Sequence, residues 1–118
     1  MSRIDYSTQV LVFKVLSNHV RLKLIEALRD GERDVGELCG TIREDQTRVS
    51  HELRCLTVCG FANFRREGKR ILYSLNSKTV LPILDAAEKH VEKFGERMKG
   101  CDMISEAKKM SVSQMIAE

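Results

Sequence analysis

Between Asp45 and Gly60 the chain runs Asp-Gln-Thr-Arg-Val-Ser-His-Glu-Leu-Arg-Cys-Leu-Thr-Val-Cys-Gly, a stretch that suits one helix with three unlike faces. At about 100° per residue, Val49, Leu53 and Leu56 fall on one stripe, the face that packs on a core. Thr47, Ser50, His51 and Arg54 fall roughly opposite. They are short hydrogen-bonding groups and a guanidinium, suited to base edges and phosphates. Cys55 and Cys59, four residues apart, stack one turn above the other on the flank between those faces. Asp45 is expected as the N-cap and Gly60 as the residue just past the end.

The surrounding chain predicts a small helical head. Residues 6–16 read as a first helix with Val10, Phe13 and Leu16 on one face, widened by Leu11 and Val12. A short helix this apolar needs a partner on more than one side. Ser17 or Asn18 is expected to cap a second helix, with Val20, Leu24, Ile25 and Leu28 inward, ended by Gly31. Asp34 and Glu37 form a capping-box pattern at the start of a third helix through Ile42. Two short helices in tandem, the second bearing polar contact groups, follow helix-turn-helix logic. After Gly60, residues 61–65 and 71–75 are strand-like and flank Arg66-Glu67-Gly68-Lys69-Arg70, where Gly68 suits a hairpin turn. A last helix over about 79–98 starts at Ser77 or Thr79, with Pro82 near its first turn. Leu81, Leu84, Ala87, Val91 and Phe94 form its apolar stripe. Gly100 breaks it, leaving a polar tail.

At 118 residues one domain is expected, residues 1–100, followed by a C-terminal tail, 101–118. The 42% apolar and 31% charged fractions describe a globular chain. No apolar run approaches a membrane span, and the first residues lack a signal-peptide core. The chain therefore reads as cytoplasmic, with reduced thiols and no membrane partner, so its four cysteines point to metal binding or redox sensing. Net charge is only +3, yet residues 46–70 hold six basic residues against two acidic ones. That local patch points to double-stranded DNA. No Cys-x-x-Cys, phosphate loop or nucleophile–base signature is present, which argues against an enzyme and an organic cofactor.

The order of elements, with Leu16-Ser17-Asn18-His19-Val20-Arg21-Leu22, Val49-Ser50-His51-Glu52-Leu53, Cys59-Gly60-Phe61 and Arg65 through Tyr73, resembles the ArsR/SmtB family of winged-helix repressors. The likeness covers about residues 6–98. It departs at Asn18-His19, where many members have Asp-Pro, and at Glu52, where histidine or glutamine is common. The resemblance implies a winged helix-turn-helix of order α-α-α-α-β-β-α and a homodimer formed by the first and last helices. Val10, Phe13, Leu81, Leu84 and Val91 are the candidate interface residues. It implies binding to an inverted-repeat operator through Gln46, Thr47, Arg48, Ser50, His51 and Arg54, with Arg65, Arg66, Lys69 and Arg70 on the wing, and release by an effector.

Effector sites differ among members of that family. The arsenic branch has Cys-x-Cys in the third helix, where this chain keeps Cys39 alone. The zinc and cobalt branch uses His and Asp pairs in the last helix, where the matching Ser77, Thr79, His90 and Lys93 leave one possible ligand. Cys55, Cys59 and Cys101 resemble the cadmium- and lead-sensing, CmtR-type branch, which takes two thiolates from the fourth helix and one from the C-terminal region. That likeness implies a soft divalent ion, cadmium, lead or zinc, as effector. Cys55 and Cys59 also suit plain packing beside Leu56, and oxidation of the same thiols is the alternative switch. Arg48 is expected to lower the thiol pKa values, and Cys39 is expected in the core.

Overall fold

Each of the first four helices begins on a side chain that accepts the orphaned N–H groups of its first turn. In the computed structural model, which describes residues 5–104, Asp5 accepts from Ser7 and Thr8. Asn18 accepts from Arg21 at 2.9 Å and Asp45 from Arg48 at 2.8 Å. Asp34 accepts from the Glu37 N–H at 2.8 Å, while the Glu37 side chain takes the Asp34 N–H at 2.9 Å, a closed capping box. The helices are α1 (Tyr6–Leu16), α2 (His19–Leu28), α3 (Val35–Ile42) and α4 (Gln46–Val58). Asn18, not Ser17, is thus the second cap.

Helix α4 ends where Gly60 turns to φ 81°. The Gly60 N–H donates to the Thr57 carbonyl at 3.2 Å and the Phe61 N–H to Leu56 at 2.8 Å. This paired closure needs the positive φ that glycine adopts without a Cβ penalty. Arg43, between α3 and α4, takes the same region at φ 58° with a side chain attached. Arg43→Gly should therefore raise stability by about 1 kcal/mol, read as a higher urea midpoint at unchanged slope.

Strands β1 (Ala62–Glu67) and β2 (Arg70–Leu75) pair antiparallel from Ala62↔Leu75 to Glu67↔Arg70. The turn is tighter than the expected 66–70: only Gly68 and Lys69 lie outside the ladder, and Gly68, at φ 62°, fits the first position of a two-residue hairpin turn. Arg33 adds an isolated bridge to the other edge of β2. Its N–H donates to the Tyr73 carbonyl at 3.1 Å and its carbonyl accepts from Tyr73 at 2.9 Å.

Helix α5 (Ser77–Lys99) starts two residues before the expected range. Pro82 consequently lies inside it rather than in its first turn. The ring leaves the Lys78 carbonyl without its helical donor.

The described chain packs as two compact units, one through Val80 and one from Leu81 onward. In the first, Leu24, Ile25, Leu38, Val49, Leu53 and Leu56 are fully buried, as the helical periodicities predict. Helix α1 buries only Val15 and Leu16. Its Val10, Leu11 and Phe13 stay 49, 53 and 57% exposed. In the second unit Val91 is 54% exposed, Leu81 is half-buried, and Leu84 is already buried within the single chain. The tail from 105 on lies outside the described residues. Among the described residues, no helix is long and apolar enough to cross a membrane.

Candidate nucleic-acid interface

The N-cap at Asp45 and the core stripe fix the roll of α4, and with it the face left to solvent. Gln46, Thr47, Arg48, Ser50, His51 and Arg54 are all exposed there. On the hairpin Arg65, Arg66, Lys69 and Arg70 are exposed as well. The residues chosen for DNA contact are therefore all on the surface, though not all are uncommitted.

Arg48 also serves the interior. Its Nε donates to Glu52 at 3.1 Å, and Glu52, only 4% exposed, is the buried charged residue of α4. The other oxygen of Glu52 accepts from Arg21 Nη1 at 2.7 Å. Arg21 in turn donates from Nε to the Val15 carbonyl at 2.7 Å and from Nη2 to Lys14 at 3.2 Å. One guanidinium thus closes the free carbonyls at the end of α1 and ties α1, α2 and α4 together. Neither Arg21 nor Glu52 was expected as an organising residue. The signal was present, since Glu52 sits three residues from Val49 and four from Leu56, on the core stripe itself.

Two wing residues are likewise engaged. Arg65 donates to both oxygens of Glu32, at 2.7 and 2.8 Å, and pairs with Glu67 at 3.0 Å. Arg70 reaches Asp34 at 2.9 Å and Glu37 at 3.2 Å. The Arg65 hydrogen bond holds the Glu32 carboxyl below its usual pKa. The backbone N–H of Glu37, then Arg70, does the same for Asp34. These carboxylates stay ionised through the neutral and mildly acidic range. Among the described residues Arg66 and Lys69 make no ion pair.

Cys55 and Cys59 lie one turn apart at the end of α4, close enough for Cys59 to act on the Cys55 thiol, with Cys55 half-buried and Cys59 exposed. Burial is the largest influence on Cys55 and pushes its thiol pKa up. The opposing charge is Arg21, and Cys59 and Glu52 add to the rise. The expectation that Arg48 lowers it is overturned, because the Arg48 guanidinium is turned onto Glu52. Cys39 is half-buried rather than in the core.

Residues 18–63 match the family model described as bacterial regulatory protein, arsR family. A probable mercury resistance operon repressor of Streptomyces lividans is 35% identical over 77 residues, 65% of this chain and 62% of that protein. A cadmium resistance transcriptional regulatory protein CadC homolog of Staphylococcus aureus is 36% identical over 80 residues, 67% of this chain and 66% of that one. The transcriptional activator HlyU of Vibrio cholerae is 32% identical over 76 residues, 64% of this chain and 70% of its own length. Its solved structure superposes with a TM-score of 0.66 at 27% identity, over 75% of this chain and 96% of that one. The chain belongs to the ArsR family.

This ArsR-family chain spans about two thirds of the length of these three curated relatives, 62 to 70%. Its fold is the winged helix-turn-helix of the solved relatives, and the relatives are transcription regulators rather than enzymes. Among its described residues, no group of three or more His, Cys, Asp and Glu is gathered so as to hold a metal ion. Cys55 and Cys59 belong to the first unit and Cys101 to the second. Cys101, half-buried, lines an open hollow of about 380 Å³ with His90, Phe94, Arg97, Met98 and Ile104. His90 meets Phe94 at a tilt of 44° with ring centroids 4.9 Å apart, and the Arg97 guanidinium lies 5.5 Å from the centroid of the same ring.

Proposed function

We propose that the chain is a homodimeric transcriptional repressor that holds an inverted-repeat operator through α4 and the wing, and releases it when a soft ion binds its cysteines. The observation that carries the switch is the thiol pair. Cys55 and Cys59 are neighbours one turn apart at the end of the helix whose outer face bears Thr47, Ser50, His51 and Arg54, and Cys59 is open to solvent. Two adjacent sulfurs suit an ion that bonds sulfur at about 2.3 Å or slightly more, and do not suit Mg²⁺ or Ca²⁺. Cys101 supplies the third thiolate, within the chain or across the dimer. The mercury- and cadmium-resistance relatives favour both the ion class and the repressor role.

The dimer covers the apolar surface that α1 exposes at Val10, Leu11 and Phe13, together with Val91 of α5. It sets two α4 helices for successive major grooves, with half-sites about one helical turn apart. The ion's chemistry is to crosslink thiolates. What the chain contributes is a thiol pair beside the reading face and a proton at Cys55 that capture must displace, so affinity rises with pH.

Titrating the reduced protein with Cd²⁺, Pb²⁺ and Zn²⁺ should raise thiolate-to-metal charge-transfer absorption. Cys55→Ser with Cys59→Ser should abolish it, Cys101→Ser should weaken it, and Cys39→Ser should leave it unchanged. Operator affinity should drop about 5- to 150-fold on loading, a coupling of about 1–3 kcal/mol. Cys101→Ser should bind DNA normally without ion and fail to release it. A full metal response after replacement of all three cysteines would end this reading. The neighbouring thiols also suit a redox switch, and the raised Cys55 pKa does not separate the two readings, since metal capture and oxidation both proceed through the thiolate. Release by peroxide in the absence of metal, reversed by dithiothreitol, would favour the redox switch.

A further inference from the structure

We infer that Glu32, Asp34 and Glu37 form a clamp that positions the wing, and that Arg65 and Arg70 are positioning residues while Arg66 and Lys69 meet phosphate. The inference rests on the proposed DNA binding and divides the wing's basic residues between two tasks.

The division follows from the pleat of the hairpin. Directly opposed residues share a face, and successive residues alternate faces. Arg65↔Leu72 and Glu67↔Arg70 therefore lie on one side, and Arg66↔Ile71 and Phe64↔Tyr73 on the other. Burial does not choose between the sides, since Leu72 is buried on the first and Ala62 and Leu75 on the second. The carboxylates do: Arg65 and Arg70 leave the first side together and meet Glu32 and Asp34 on the α2–α3 connection and Glu37 in the first turn of α3. Arg66 projects from the side where Phe64 is 63% exposed.

The clamp is built around a backbone weld. Arg33 exchanges two hydrogen bonds with Tyr73, and the residues on either side of it carry the carboxylates for Arg65 and Arg70. Exposed ion pairs are usually weak because two long side chains must be ordered in high dielectric. Here Glu32 and Arg65 meet through two parallel bonds, the geometry that makes such a pair directional. Arg70 is shared by two acceptors. With each guanidinium already satisfied, moving it to a phosphate exchanges one charged hydrogen bond for another and adds little. Arg66 and Lys69 have no such partner to give up.

The test uses the full chain, a fluorescein-labelled random-sequence duplex, and hydrogen–deuterium exchange of the hairpin without DNA. Glu32→Arg should speed exchange of the β1 and β2 amides. It should also weaken DNA binding several-fold, although the substitution adds positive charge. The charge swap Glu32→Arg with Arg65→Glu should restore both exchange protection and affinity to within about twofold. Arg66→Ala with Lys69→Ala should leave exchange unchanged and flatten the salt slope by about 2 for each bound protomer, one for each lost phosphate contact. Tighter binding and a steeper slope in Glu32→Arg would overturn the inference, because the carboxylate would then be restraining a contact residue. So would a swap that restores protection without affinity, or a hairpin whose exchange ignores Glu32→Arg. A wild-type chain that does not bind the duplex would instead remove the DNA reading, and the exchange arm keeps that failure distinct.

Discussion

Phe13→Asp should turn the protein into a monomer that no longer holds a two-half-site operator. Phe13 is 57% exposed on a helix that sends only Val15 and Leu16 into the core. A phenylalanine of this kind offers roughly 150–250 Å² of apolar surface, and a two-fold interface uses it twice. An aspartate at the seam must be desolvated without a partner, which costs several kcal/mol. Sedimentation equilibrium and mobility shift on the same sample should show both losses, while the circular dichroism of the head stays helical. Leu84→Asp makes a poorer probe, because Leu84 is already covered in the single chain and its replacement should unfold the chain itself. A dimeric Phe13→Asp protein with normal DNA binding would place the interface elsewhere.

Arg21→Met should cost about 3–5 kcal/mol, the usual penalty for breaking one side of a buried pair. The Arg21 and Glu52 side chains are 17 and 5% exposed, so neither charge is well solvated once alone. Arg48 remains as a partner to Glu52, but it is 49% exposed and shares its field with water. The same substitution also takes the side-chain donor from the Val15 carbonyl at the end of α1, while the Lys14 carbonyl keeps the Ser17 hydroxyl at 3.3 Å. Adding Glu52→Leu should recover most of the loss, because an apolar pair of similar volume carries no desolvation burden. Urea unfolding of the two variants decides this. A single-variant loss under about 1 kcal/mol would mean that water reaches Glu52 freely.

The helices were legible because their signals are local. Asp45, Asn18 and the Asp34–Glu37 pair act within one turn, and the spacing of Val49, Leu53 and Leu56 reports burial directly. The start of α5 was less clear for the same reason: proline usually marks a first turn, and nothing nearby shows that this helix tolerates Pro82 farther in. The clamp on the wing was not legible, since Glu32 and Arg65 are 33 residues apart and a charged hairpin tip reads as DNA contact wherever its arginines turn. Glu52 was hidden by its own charge, although its position on the stripe was correct for burial. At the thiols, spacing identified the pair of Cys55 and Cys59, but the environment of Cys55 depends on Arg21, a residue on another helix.

The two hydrogen bonds between Arg33 and Tyr73 also bear on the order in which the chain assembles. A lone two-stranded hairpin is marginal in water. This one gains an added bridge from a segment far upstream, so the loop between them must close before that bridge exists. Each helix of the head forms from contacts within a turn or two, although docking α2 on α4 through Arg21 and Glu52 also spans 31 residues. Folding should therefore begin with the helices and end with the wing. During refolding or on a ribosome, the chain would pass through a state in which α4 is already formed while the hairpin beside it still lacks its place.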